Sequence, residues 1–388
     1  MSASARAAPV VSRELVEEVR AWLAREAAPL TPEQVSLALR SGGRPIGDAT
    51  VLAVHDALQR DVVGAGPLEP LLRLPGVTDV LVNGAEQVWI DRGEGLELTD
   101  VRLPGEAAVR RLAQRLAAAA SRRLDDSTPY VDLRLPDGSR LHAVLSPLSR
   151  PGTAISIRVP RARAFALDEL VEAGSIDVDG AALLRRLVAR RRSFLVTGGT
   201  GSGKTTVLNA LLSLADRGER LVLVEDAGEL RPDHPHVVAL EARPANSEGA
   251  GEIPLRTLVR QALRMRPDRL VVGEVRGAEV VDLLAAMNTG HEGGCGTVHA
   301  NSAADLPSRI EALALAGGLD RAAAHSQLAA AVDVVVHLGR HDGVRVVAEL
   351  GVLERDRGGL VSVIPAVRFE PGRVVEGRGA TRLGEMLR

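Results

Sequence analysis

The segment Gly198-Gly199-Thr200-Gly201-Ser202-Gly203-Lys204-Thr205 follows G-x-x-x-x-G-K-[ST], the spacing of a loop whose backbone amides cradle phosphate. Lys204 is the only lysine in the chain: of 48 Lys and Arg residues, 47 are arginine. The composition is rich in Ala, Gly and Arg and poor in Phe, Tyr and Lys, as a GC-rich coding sequence would make it. Where a basic side chain only had to be basic, arginine served. At 204 a compact ammonium on a narrow stem passes beneath a Gly-rich turn, where a planar guanidinium does not fit. The expected ligand is ATP, with Lys204 on its β- and γ-phosphates. Thr205 hydroxyl is expected on Mg²⁺ and Thr206 at the α-phosphate.

Carboxylates stand where such a ligand could use them. One apolar run ends in Val224-Glu225-Asp226, with Glu229 one helical turn on, and another ends in Val271-Val272-Gly273-Glu274. Acids at the C-terminal ends of strands in a doubly wound sheet face the ligand crevice. One is expected to hold Mg²⁺ through water and another to polarise the attacking water; solvated acids at strand ends are the bland alternative. Gly273 occupies the place where many phosphate-loop enzymes carry a metal-ligating Asp.

A third group is cationic. If residues 136–138 turn a hairpin, Arg134 faces Arg140, and Leu133, Leu135, Leu141 and Ala143 share the other face. Like charges directly opposite destabilise a sheet, and an anion between them reverses the sign. Arg158 alternates away from the apolar residues of the next strand. Arg134, Arg140 and Arg158 are therefore expected to line a phosphate-facing surface over the nucleotide loop; the alternative is a row of solvated sheet arginines.

These residues need a scaffold, and the periodicity supplies one. Leu15, Val16, Val19, Trp22 and Leu23 form a helical stripe, and Thr31-Pro32-Glu33-Gln34 reads as a capped helix start. Residues 1–60 are thus a helical region, with the first ten disordered. From 61 to 160 the pattern is α+β. Val77–Val82 and Gln87–Ile90 form a hairpin about Asn83-Gly84, a helix runs near 105–120, a second hairpin turns at Pro136-Asp137-Gly138, and Thr153–Val159 is a strand. Pro160-Arg161-Ala162-Arg163 marks the break, and a linker at 161–164 leads to 165–388. There strands at Ser193–Thr197, Arg220–Glu225 and Leu270–Gly273 read as an all-apolar parallel sheet. Helices are expected near 204–215, 254–265, 277–289, 303–315 and 320–332, and strands near 333–338, 345–350 and 360–367.

Composition bounds the function. A formal net charge of −2 offers no overall field for nucleic acid or anionic lipid. The single cysteine, Cys295, excludes an internal disulfide and fits a reducing cytoplasm. The opening residues lack a signal-peptide core, and no run approaches the ~18–20 apolar residues of a membrane helix. An aromatic share of 2% argues against base stacking.

Three stretches resemble one family. Arg264–Gly277 (RMRPDRLVVGEVRG), Met287–His291 (MNTGH) and Gly296–Ser302 (GTVHANS) are similar to motifs of the type II/IV secretion ATPase superfamily, within it the tight-adherence (Flp) pilus branch of CpaF/TadA-type ATPases. Gly66–Leu72, Asp79–Gly84 and Leu135–Arg140 resemble that family's N-terminal domain. The resemblance runs from about Gly64 to Glu349. It implies a RecA-like domain behind a smaller α+β domain, and a Gly-Glu pair that makes Glu274 catalytic or metal-holding. It also implies an acidic box (Glu225, Asp226, Glu229), a histidine box with His299 and His291 near the γ-phosphate, and N-domain arginines that clamp the nucleotide. One departure is Gly293-Gly294-Cys295-Gly296, where relatives carry Ser-Leu-Ser; its glycines predict a loose segment, with Cys295 a small buried residue.

The expected protein is therefore a cytoplasmic, ring-forming ATPase, a hexamer by resemblance. It would act at the inner face of the membrane on a platform protein that moves pilin or a secreted substrate. Arg260, Arg264 and Arg266 are expected to face a neighbouring subunit. A nucleic-acid motor, helicase or conjugal DNA-transfer ATPase, is the alternative, and a nucleotide-binding scaffold without turnover is a third reading.

Overall fold

The computed structural model describes residues 13–26, 28, 31–41, 47–62, 64–93, 95–135, 137–160, 163–245, 249–290, 292–370 and 372–388. The expected disorder of residues 1–10, the middle of the linker (Arg161, Ala162), Pro136 and His291 lie outside them. The chain divides into two compact units, Met1–Arg161 and Ala162–Arg388.

The first unit opens with three helices, α1 (Arg13–Arg25), α2 (Pro32–Ser41) and α3 (Asp48–Val62). Val16, Val19 and Leu23 of the α1 stripe pack with Val35, Leu39, Val54 and Leu58 in a core of their own. Thr31 Oγ1 accepts the Gln34 amide at 3.3 Å, as a cap should. After α4 (Glu69–Leu72) come β1 (Asp79–Asn83), β2 (Gln87–Asp91), β3 (Leu96–Leu98), α5 (Glu106–Ala119), β4 (Tyr130–Arg134), β5 (Arg140–Val144) and β6 (Ala154–Arg158). The strands form one antiparallel sheet in the order β3-β2-β1-β6-β5-β4. Strand alternation puts Val80, Val82, Leu133, Leu141, Ile155 and Ile157 on one face, where α5 supplies Val109, Leu112 and Leu116.

The second unit contains α6 (Leu167–Glu172), α7 (Val178–Ala189), β7 (Phe194–Gly198), α8 (Lys204–Leu212), β8 (Leu221–Glu225), β9 (Val237–Glu241), α9 (Leu255–Ala262), β10 (Arg269–Val275), α10 (Glu279–Met287), β11 (Cys295–His299), α11 (Leu306–Ala316), α12 (Arg321–Ala331), β12 (Val334–His341), β13 (Val344–Arg355), β14 (Val361–Glu370), β15 (Arg373–Glu376) and α13 (Ala380–Met386). Nine strands make one sheet in the order β15-β14-β13-β12-β7-β11-β10-β8-β9. From β12 to β9 the pairing is parallel, and β12 to β15 run as an antiparallel meander. Every residue of β7 and β8 is buried, as a sheet covered on both faces requires. Two cores result, one on each face.

One expectation is corrected here. The segment expected to be loose, Gly293–Gly296, leads into β11, whose residues Cys295 to Val298 are fully buried between β7 and β10. The glycine serves proximity: a Cβ at Gly296 would meet the Val272 carbonyl oxygen at 2.7 Å. Arg260 donates from Nε to Asp282 Oδ1 at 2.7 Å within its own unit and remains exposed, so its expected place at a neighbouring subunit stays a proposal.

Candidate functional site

The phosphate loop joins the buried end of β7 to the first turn of α8. Gly198 allows the turn, because a Cβ there would lie 2.6 Å from Ser202 Oγ and 2.7 Å from the Leu338 carbonyl oxygen. α8 starts at Lys204 with no acidic residue in its first turn, so the positive end of its dipole is uncompensated. Thr205 and Thr206 follow in that same turn.

Lys204 is 7% exposed. Its Nζ donates to the carbonyl oxygens of Gly198 (3.2 Å) and Gly199 (3.0 Å) and lies 3.3 Å from His299 Nδ1. Burial lowers the ammonium's pKa, and Glu274 opposes that shift. The loop's lysine is thus held by the loop's own carbonyl oxygens.

β10 and β11 bring the acid and the histidine to the same point. Their pairing shifts register between Val272 and Val275, an irregularity that re-aims the intervening side chains. Glu274 Oε1 lies 2.5 Å from His299 Nε2, and Arg276 bonds the other carboxylate oxygen. Burial lowers the His299 pKa, the Lys204 charge adds to that, and Glu274 opposes them.

Gly273 has a packing reason. A Cβ there would lie 2.6 Å from Glu225 Cγ and 2.9 Å from its Oε1. Glu225, 4% exposed, accepts the Glu229 and Leu230 amides at 3.0 Å each. Burial pushes its pKa up to about 7 against those bonds. Glu229 meets this centre through its amide.

Five buried side-chain polar atoms among the described residues lack a hydrogen-bond partner, and three of them are Ser202 Oγ, Glu225 Oε2 and Glu274 Oε1. The last is close to His299 Nε2 without the geometry of a hydrogen bond. Buried polar atoms are normally satisfied by a hydrogen bond, so these three oxygens fit a site that takes a polar ligand. The residues present fit Mg²⁺. The ion takes one or two protein oxygens plus water and phosphate, and Thr205 Oγ with the orphan oxygen of Glu274 supplies that number. A cleft of about 300 Å³ opens beside the loop, lined by Gly199, Thr200, His299, Ala300, Asn301, Asp305 and Arg309.

In the first unit, Arg134 is the partner of Arg140 and Arg140 the partner of Arg158, a row across three strands. The expected repulsion is partly answered within the sheet. Asp132 accepts from Arg140 at 3.1 and 2.5 Å, and Asp79 lies 3.6 Å from Arg158. The row therefore does not by itself demand an external anion.

Sequence reasoning missed three arginines. Arg276 on Glu274 is one. The others are Arg340, whose Nη2 reaches the Gly201 carbonyl at 3.4 Å, and Arg345, whose Cδ would lie 3.7 Å from a Cβ at Gly203. The available signal was Asp342-Gly343 between two apolar strands, which sets Arg340 opposite Arg345.

Comparison with known proteins identifies the family. The profile of the family described as "Type II/IV secretion system protein" matches residues 61–352. A Mycobacterium tuberculosis protein named for conjugal transfer is 57% identical over 325 residues, 82% of this chain and 92% of that protein. The conjugal transfer protein TrbB of Rhizobium radiobacter is 31% identical over 278 residues, 71% of this chain and 83% of that protein. The X-ray structure of the Legionella pneumophila ATPase DotB superposes with a TM-score of 0.50 at 18% identity, covering 79% of this chain and 80% of that one, a likeness of fold alone.

Proposed function

This chain belongs to the type II/IV secretion system protein family, and from that premise we propose that it is an ATPase that powers macromolecular transfer across a cell envelope. The observation that carries the proposal is the convergence on Lys204. The loop's lone lysine touches His299, His299 touches Glu274, and three unsatisfied buried oxygens surround the place a triphosphate would fill.

In this reading Gly198, Gly199, Thr200, Gly201, Ser202 and Gly203 wrap the phosphates. Lys204 holds the β- and γ-phosphates, Thr205 ligates Mg²⁺, and Thr206 reaches the α-phosphate. Mg²⁺ would neutralise phosphate charge. Glu274 is the catalytic or metal-holding acid. Glu225 and Glu229 form the second acidic site, and His299 reports the γ-phosphate to the body of the second unit. Arg134, Arg140 and Arg158 are assigned to nucleotide binding.

The finer reading is a homo-hexameric ring at the cytoplasmic face of the membrane. It drives Flp or type IV-like pilus assembly, or secretion, through a polytopic platform protein. Membrane contact goes through that partner; among the described residues no helix is long and apolar enough to cross a membrane. Movement of pilin or another substrate is then indirect. The names of the M. tuberculosis protein and TrbB favour a second reading, a motor for conjugal DNA transfer.

The test is ATP hydrolysis with Mg²⁺ by the full chain beside Lys204→Ala, with and without single-stranded DNA. Phosphate release that the substitution abolishes supports the ATPase, and equal rates in both proteins sink it. Strong stimulation by DNA favours the conjugal motor over the pilus or secretion motor.

A further inference from the structure

The hairpin between β12 and β13 turns at Asp342 and Gly343, whose φ values are 48° and 83°. Two consecutive positive φ angles are the signature of the two-residue turn that matches strand twist. The register that follows puts Arg340 directly opposite Arg345, one step in from the turn. The hairpin's acids are engaged elsewhere: Asp342 lies 3.4 Å from His341, and Glu349 accepts from Arg368 at 2.8 Å. Among the described residues neither Arg340 nor Arg345 has a carboxylate in ion-pair range.

Two opposed guanidiniums without an acid destabilise their hairpin. The row Arg134–Arg140–Arg158 has the same opposition, but Asp132 and Asp79 answer it. What lies against Arg340 and Arg345 instead is the phosphate loop, at Gly201 and Gly203. The sheet order gives the side. β12 borders β7 on one flank and β11 borders it on the other, so these arginines approach the loop from the flank opposite His299 and Glu274.

We propose that Arg340 and Arg345 form a guanidinium bracket that binds the phosphates ATP shares with ADP, so that they set nucleotide affinity rather than the rate of cleavage. The inference rests on Gly198–Thr205 being the ATP site. If His299 and Glu274 mark the γ-phosphate, cations on the other flank meet the α- and β-phosphates, which remain after hydrolysis. The bound anion also removes the repulsion across the hairpin, so nucleotide and hairpin stabilise each other.

The experiment uses the full chain and the double variant Arg340→Gln/Arg345→Gln. Calorimetry gives Kd for Mg-ATP and Mg-ADP, and steady-state kinetics gives KM and kcat. Both Kd values should rise together by about tenfold or more, as loss of charge-assisted contacts implies. KM should rise with them, while turnover at saturating ATP falls far less. Arg340→Lys/Arg345→Lys should regain part of the affinity. The thermal midpoint of the nucleotide-free double variant should equal or exceed that of the unsubstituted protein. Unchanged Kd values overturn the bracket. So does a loss confined to ATP with a matching fall in kcat, which would put the arginines on the γ-phosphate, or a large drop in the midpoint, which would make them structural. Failure of the ATP reading looks different: the unsubstituted chain would bind neither nucleotide, and Lys204→Ala would change nothing.

Discussion

Gly273 and Glu225 are packed so closely that the absent side chain of one makes room for the other. A Cβ at 273 would stand 2.6 Å from Glu225 Cγ. The Gly-Glu pair at the end of β10 is thereby explained by space. The glycine admits a buried carboxylate from β8, and the next residue, Glu274, takes up the contact with His299.

Gly273→Ala should therefore damage two strands at once. Overpacking typically costs about 1–3 kcal/mol, and here it also displaces Glu225. Thermal unfolding should show that loss, and ATP hydrolysis should fall at least tenfold. Combining it with Glu225→Ala should return much of the stability and none of the activity; a single variant as stable as the parent would refute the packing account.

Glu274→Gln keeps the size of the side chain and removes its charge. ATP binding should persist while turnover drops by about 10²–10⁴, the usual worth of a positioned acid or base. His299→Asn should lower turnover in the same direction. Undiminished phosphate release from Glu274→Gln would assign the chemistry to Glu225 or Glu229.

The raised pKa of Glu225, about 7 in the folded chain against 4.5 when unfolded, has a definite sign. The folded state holds the proton longer. The stabilisation is complete below pH 4.5 and is lost as pH rises through about 7. A tenfold difference in proton affinity is worth ~1.4 kcal/mol, so on the order of 3 kcal/mol is at stake. Without nucleotide, the unsubstituted protein should lose thermal stability from pH 5 to pH 8, and Glu225→Gln should flatten that slope. Parallel curves for the two proteins would show that another group titrates.

Arg134→Ala with Arg140→Ala tests the nucleotide-binding role proposed for the arginine row. An arginine that completes such a site is worth about 10³–10⁵ in rate. The expected result is a loss of hydrolysis with an unchanged thermal midpoint. Because Asp132 partners Arg140, Asp132→Asn is the control: it disturbs the ion pair and should leave most of the activity. Full activity in the double variant would return the row to ordinary sheet surface.

The phosphate loop was legible because its information is local: eight consecutive residues between an apolar strand and a helix. The same holds for the Arg134–Arg140 pairing, which follows from one short hairpin. The central strand β11 was not legible. Cys295-Gly296 reads as loop until one knows that the Val272 carbonyl lies against it, a contact between strands far apart in sequence. Arg340 escaped notice for the same reason. Its target, Gly201, is 139 residues away, and only the adjacency of β12 to β7 joins them. Asp132 and Asp79 were visible as residues, but their pairing with the arginine row needed the strand order.

The hold that Gly198 and Gly199 keep on the Lys204 ammonium has one more implication. The Lys204 ammonium rests on two carbonyl oxygens from its own eight-residue segment, so any phosphate drawn to it competes with contacts internal to the loop. On the ATPase reading proposed above, taking up and giving up nucleotide here would be an exchange of partners around one buried charge.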